Sequence, residues 1–309
     1  MAPLPKHPDA VFLSLKIRIF SAIAKTTALE ILSEPLSLLV LVAALLMEVL
    51  APAFHYHQFG EPTRMACDAG ISALFTCGIV FAVFPTIRAF RREVESGTLE
   101  MALAHPVSRG GFFFAKASGA LLAYLAFAAI VFATSLVTVA GADIGGRIAA
   151  KNGDVARLYG PCFAAALFVP VLSMVVGAAL NRFARFRFVL SAFVIAAALS
   201  ASGAVWFAAP SLATRMAGAA VPVAISATIP LAAAAAFAVR FRSNAAASAC
   251  GIVVALMLPA FGNYVLSDAL SGGGNVPWGY VSLVVAATVP AVAFFLVLGA
   301  WFAEREGSR

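Results

Sequence analysis

The chain has 309 residues, of which 62% are hydrophobic and 11% charged. A soluble domain carries about 25% charged residues, so this composition excludes a soluble enzyme or a nucleic-acid-binding domain and describes an integral membrane protein. The net charge of +7 then bears on topology, because short loops rich in Lys and Arg are retained on the cytoplasmic side.

At the start of the chain, the apolar run 11–20 is interrupted by Lys16 and Arg18 and is followed by no small-residue cleavage site, so the segment is expected to be retained. Val11, Phe12, Leu15, Ile19, Ala22 and Ile23 recur at helical spacing, with Ser14, Arg18, Ser21 and Lys25 on the other side. This pattern predicts an amphipathic helix in the inner membrane interface, making 1–35 an interfacial elbow. Pro35 suits the first turn of the helix that follows, where a missing N–H costs little.

From residue 36 onward the fold expected is all-α and polytopic. Apolar stretches long enough to cross a bilayer, about 20 residues each, fall near 36–56, 66–88, 111–140, 160–181, 188–209, 219–239, 245–266 and 278–302. Eight transmembrane helices follow from this reading. Six plus a re-entrant pair is the open alternative, because Pro210, Pro222, Pro230 and Pro259 interrupt the region 188–266. With the N-terminus inside, sixteen of the 21 basic residues fall on the cytoplasmic side, and Arg64, Arg147, Lys151, Arg157 and Arg215 fall outside. Both termini are therefore expected in the cytoplasm. The longest outer loop is expected from Ala142 to Tyr159, and a Gly-rich turn at 271–279.

Two carboxylates lie within the expected spans: Glu48 in the first and Asp68 near the outer end of the second. An ionisable group in a bilayer is costly unless paired or facing water. Two readings stay open for Glu48: it lines a substrate route or pairs with a base such as Arg64, or it serves only packing and orientation at the outer interface. His55 and His57, near Met65 and Cys67, are ligand types for copper or zinc. Their H-x-H spacing in a loop lacks the i, i+4 placement of helical metal motifs, and no metal site is expected. Cys67 and Cys162 are placed near the same membrane face, with their pairing open. Arg182, Arg185 and Arg187 alternate with phenylalanines and read as an orientation anchor on anionic lipid. No nucleophile elbow or HExxH pair occurs, so no catalytic residue is expected. The alternative is an intramembrane hydrolase or lipid-modifying transferase built on Glu48, Asp68 and the outer histidines; such an enzyme would turn over alone.

The most charged stretch is "REVESGTLEMALAHPVSRGGFFFAK", residues 92–116. If the second span leaves the membrane near Arg88, "RAFRREVE" continues it as a polar helix. Gly97 interrupts that helix, Thr98 caps a short new one with Glu100 near its positive end, and Pro106 stops it. Ser108 is placed to cap the third span. The short helix, about 98–105, carries Leu99, Met101 and Leu103 on a side suited either to a groove on a partner or to the protein's own surface.

These residues resemble the motif of ABC-2-type transport permeases, at Glu93, Glu95, Gly97, Thr98, Leu99, Glu100, Pro106, Ser108, Arg109 and Lys116. A weaker likeness lies in "ALEILSEPLSLLVLV", which is similar to the family's interfacial helix, proline and first span. The resemblance implies that 36–309 is a permease domain with a coupling helix at about 92–109, which docks on an ATP-binding cassette ATPase. It further implies two such subunits, a second permease chain, a bacterial inner membrane and export, while the apolar lining favours an amphipathic, lipid-linked or drug-like substrate. No G-x-x-x-x-G-K-[ST] loop occurs in the chain. ATP and Mg would therefore be held by the partner subunit, and the chain itself needs no cofactor.

Overall fold

The computed structural model describes residues 8–50, 62–96, 108–152, 155–208, 210–241, 243–271 and 278–306. Among these residues all regular structure is helical: α1 Pro8–Leu32, α2 Pro35–Leu50, α3 Pro62–Ser96, α4 Arg109–Asn152, α5 Val155–Ala184, α6 Phe188–Phe207, α7 Pro210–Ser226, α8 Thr228–Arg240, α9 Asn244–Ser271 and α10 Trp278–Glu306. In hydrocarbon, backbone groups find no water, so an apolar chain satisfies them within helices.

Five of the described runs are long and apolar enough to cross a membrane: Met65–Arg92, Arg109–Ala142, Phe188–Phe207, Ser211–Arg240 and Gly279–Arg305. A sixth arises if α1 and α2, bent by 63° at Ser33–Glu34, count as one broken span. Pro35 begins α2 after this bend, where its place in the sequence predicts it. The prolines of the later region punctuate without splitting it. Pro210 opens α7, Pro222 lies inside it, and Pro230 follows the turn at Ala227, yet Ser211–Arg240 remains one span-length run.

One loop expectation is overturned. The region from Ala142 to Tyr159 is mostly helix, since α4 continues to Asn152 and α5 resumes at Val155. Polarity alone does not end a helix. The Gly145–Gly146 pair weakens this one without stopping it, and α4 ends only at the Asn152–Gly153 stop signal.

The centre of the bundle is the α3–α4 pair. Phe81 stacks on Phe127 with centroids 4.5 Å apart and meets Phe193 of α6 edge-on at 6.4 Å. Around them Leu41 and Leu45 of α2, Leu74 of α3, Tyr124 and Val131 of α4, Ala196 of α6 and Leu231 of α8 complete the main core. Burying one such side chain contributes roughly 1.5–3 kcal/mol against water, although between helices in lipid the gain comes from close packing. Small residues provide that closeness. A Cβ on Gly119 of α4 would strike the Ala24 carbonyl of α1, one on Gly299 of α10 would strike the Phe113 ring, and the alanines 232–236 of α8 are fully buried. α10 lies at the rim, with Leu283, Phe294 and Val297 outward, as a lipid-facing helix requires.

Candidate functional site

The charges that lead toward the motif region gather at the last turns of α3. Arg88 and Arg92 are one helical turn apart, as are Glu30 and Glu34 at the α1 elbow. The two pairs meet: Arg88 Nη1 lies 2.8 Å from Glu34 Oε1, and Arg92 Nη1 lies 3.5 Å from Glu30 Oε1. Burial raises the Glu34 carboxyl above its usual range, and the attraction and hydrogen bond of Arg88 offset that only in part.

The residues between these arginines face other elements. Arg91 donates from Nη1 to the Phe241 carbonyl at 2.8 Å, satisfying the C-terminal cap of α8 where a cation is favoured. Lys116 of α4 is almost fully buried and donates from Nζ to the Ala89 carbonyl at 2.6 Å, with its ammonium 5.1 Å from the Phe90 ring centre. Phe90 also meets Phe113 of α4 at 5.5 Å. Five consecutive residues, 88–92, thus join α3 to the elbow, to α4 and to α8.

The start of α4 is held as firmly. Ser108 accepts a hydrogen bond from the Gly111 N–H at 3.1 Å, the N-cap predicted for it. Gly110 lies so close to α10 that a Cβ there would meet Glu304 Oε1 at 3.0 Å. Arg109 is exposed. Of the other motif positions, Glu93 and Glu95 lie on the last turns of α3 with side chains outside the description, and Gly97, Thr98, Leu99, Glu100 and Pro106 lie outside the described residues.

A sequence profile described as "ABC-2 family transporter protein" matches residues 33–200, more than half of the chain. The chain belongs to the ABC-2 transporter family. The match begins at the elbow and spans α2 through most of α6, so it contains the whole α3–α4 connection. Nothing among curated proteins or solved structures matches the chain.

The second candidate region of this ABC-2 family protein lies inside the bundle. Glu48 is fully buried and accepts a hydrogen bond from Ser135 Oγ at 2.8 Å, while its Oε2 has no hydrogen-bond partner. A polar seam continues along α4: Thr134 meets Ser200 Oγ of α6 at 2.8 Å, and Thr138 bonds back to the Thr134 carbonyl. Glu48 therefore sits among helices. The structure does not bring Asp68 to it, since Asp68 is on an exposed face of α3. The side chain of Arg64, and His55 and His57 altogether, lie outside the described residues. Cys67 is a free thiol, and the side chain of Cys162 is outside the description. Among the described residues no cluster of three or more His, Cys, Asp or Glu is suited to a metal.

Sequence reasoning missed Glu30, Glu34 and Ser135. The repeated i, i+4 spacing of two acids at the elbow and two arginines on α3 was a readable sign of a ladder. Ser135 carried no sign, because one serine in an apolar helix has many possible faces.

Proposed function

We propose that the chain is the permease subunit of an ATP-driven exporter, paired with a second permease chain and with two separate ATP-binding cassette subunits that hold ATP and Mg. Membership of the ABC-2 family, with a helical, membrane-spanning architecture, supports the permease assignment. The observation that carries the mechanism is the tying of residues 88–92 to the elbow, α4 and α8. The segment 97–107 joins α3 to α4 directly, so a push on a coupling helix within it is delivered to both central helices at once. Closure of the ATPases around ATP would rock α3 and α4 as a unit and expose a route outward. With both termini cytoplasmic, as the distribution of Lys and Arg favours, the 88–92 end would face the cytoplasm. An apolar bundle with a single buried carboxyl among the described residues, at Glu48, favours an amphipathic, lipid-linked or drug-like cargo.

Quantitative mass spectrometry of the tagged chain, purified in mild detergent from its native membrane, tests the reading. A P-loop ATPase in near-equal amount is expected. Charge reversal at Glu100 or Arg109 should then leave ATP hydrolysis intact while uncoupling it from transport. An isolated chain that is active alone would overturn the assignment.

A further inference from the structure

A cleft of about 1210 Å³ opens at the elbow, between the end of α1, the last turns of α3 and the start of α6. Its polar wall carries Arg88, Arg92 and Arg187, and its apolar wall carries Leu29, Pro35, Phe188 and Val189. We propose that this cleft binds the phosphate head of an anionic membrane lipid, with the acyl chains leaving along the apolar wall. The proposal rests on the reading that this end of the bundle lies at the inner leaflet.

The arginines keep capacity for such a ligand. Each ion pair to Glu34 or Glu30 uses the Nη1 end of its guanidinium, and the Arg88 and Arg92 side chains remain 60% and 77% exposed. A guanidinium has five N–H donors in a planar fork, so one carboxylate does not exhaust it. Three arginines against Glu30 and Glu34 leave the wall net positive.

Arg187 is set in place by an unusual turn. Arg185 holds φ at 57°, in the left-handed region that costs a non-glycine residue energy, and Asn181 Nδ2 donates to the Phe186 carbonyl at 2.7 Å. That turn delivers Arg187, exposed, to the N-terminus of α6, where no side chain caps the helix. The helix end adds partial positive charge to the arginine wall.

The apolar wall decides between a lipid and an acidic protein segment. Toward its N-terminus α1 exposes Leu15, Ile17 and Phe20 together with Lys16, Arg18 and Lys25, a mixture suited to the headgroup boundary. The cleft thus opens at the 63° bend between α1 and α2. A single ligand with an anionic head and apolar tails meets both walls.

The full-length chain in nanodiscs, given a phosphatidylglycerol probe with a photoreactive acyl chain, provides the test. Peptides containing Leu29 or Phe188 and Val189 should be labelled, and a phosphatidylcholine probe should label them far less. In the Arg92→Ala/Arg187→Ala double variant, checked for an unchanged elution profile and melting midpoint, labelling should fall roughly tenfold, as loss of charge-assisted contacts implies. Equal labelling by both lipids, or no loss in the double variant, would overturn the proposal. Full competition by millimolar inorganic phosphate would do so too, assigning a free anion instead of a lipid. So would a crosslinker at position 187 that captures an acidic segment of the ATPase while the lipid probe gives no label. Because labelling needs no ATPase, failure of the exporter reading would leave it unchanged, and failure of the labelling would leave ATPase co-purification unchanged.

Discussion

Around the Arg88–Arg92 end of α3 nearly every polar contact joins different elements, and the charged groups other than Lys116 keep access to solvent. Around Glu48 the polar groups are sealed in the bundle, and the carboxyl has one hydrogen bond and an oxygen without any. The first arrangement spreads its stabilisation over many ties, each exposed ion pair contributing about 0–1 kcal/mol. The second concentrates the cost of desolvation in one group. A force applied to α3 would travel through the first region, whereas the second gains nothing in stability from its carboxyl. Substitutions at the two regions should therefore differ in sign as well as in size.

The largest effect is expected where backbone proximity makes the ties possible. Gly119→Val places a side chain against the Ala24 carbonyl and Thr27 of α1. Backbone cannot step aside as a side chain can, so destabilisation of about 3 kcal/mol is expected, read as a lowered melting midpoint in detergent. At the Glu48 region the corresponding approach is Gly70 against the Ser135 side chain, whose Cβ would stand 2.8 Å away and whose Oγ can turn aside only by giving up its bond to Glu48. Gly70→Ala adds a single methyl against a side chain and not against backbone, so it should cost less while disturbing the Ser135–Glu48 bond, and an equal loss at both would break the distinction.

Lys116→Met keeps the length of the side chain while removing the charge and the bond to Ala89. A charge-assisted hydrogen bond is worth about 1.5–3 kcal/mol, so stability should fall by about 2 kcal/mol and transport coupling with it. Glu48→Met, by contrast, removes a desolvated group and should leave the melting midpoint unchanged or raised. If Glu48 lines the route, transport falls although stability does not. A destabilising Glu48→Met would show that the carboxyl is a structural tie like Lys116.

Tyr124→Phe falls between these cases. Its hydroxyl donates to the Ala224 carbonyl at 3.0 Å, three residues before the turn at Ala227 that separates α7 from α8. A neighbouring helix thus supplies a donor next to the turn. Loss of that hydroxyl should cost about 1 kcal/mol, measured by the same melts.

Much of this was legible in the residues themselves. The all-helical membrane character followed from apolar length, the Pro35 start of α2 from proline's place at a first turn, and the Ser108 cap from its position before an apolar run. The motif around Glu93 to Lys116 pointed to the family that the profile match then established. What escaped was whatever depends on which faces meet. The burial of Lys116 under Phe90 and the seating of Glu48 on Ser135 are products of the α2, α3 and α4 packing. The helical course of 143–152 was missed for another reason: its polar and glycine content resembled a loop, although only the later Asn152–Gly153 pair ends the helix.

The smallest expected effect tests whether the elbow ladder behaves as a border feature or as an interior one. Burial raises the Glu34 carboxyl above its ordinary 4.5 even with Arg88 beside it. The native state therefore binds this proton more readily than the unfolded chain does. As pH rises from 4.5 through the raised native value, the wild type loses the stability this proton provides, and above that value the contribution stays constant. Glu34→Gln removes the titration, so the melting midpoint of the variant minus that of the wild type should become more positive as pH rises across this window. The change should stay below about 1 kcal/mol, since the pair is partly exposed and screened. The opposite slope would mean that the attraction of Arg88 outweighs burial. In that case the ladder is a true electrostatic clamp, and its loss would weaken the link between the elbow and α3 more than the loss of any single contact inside the bundle.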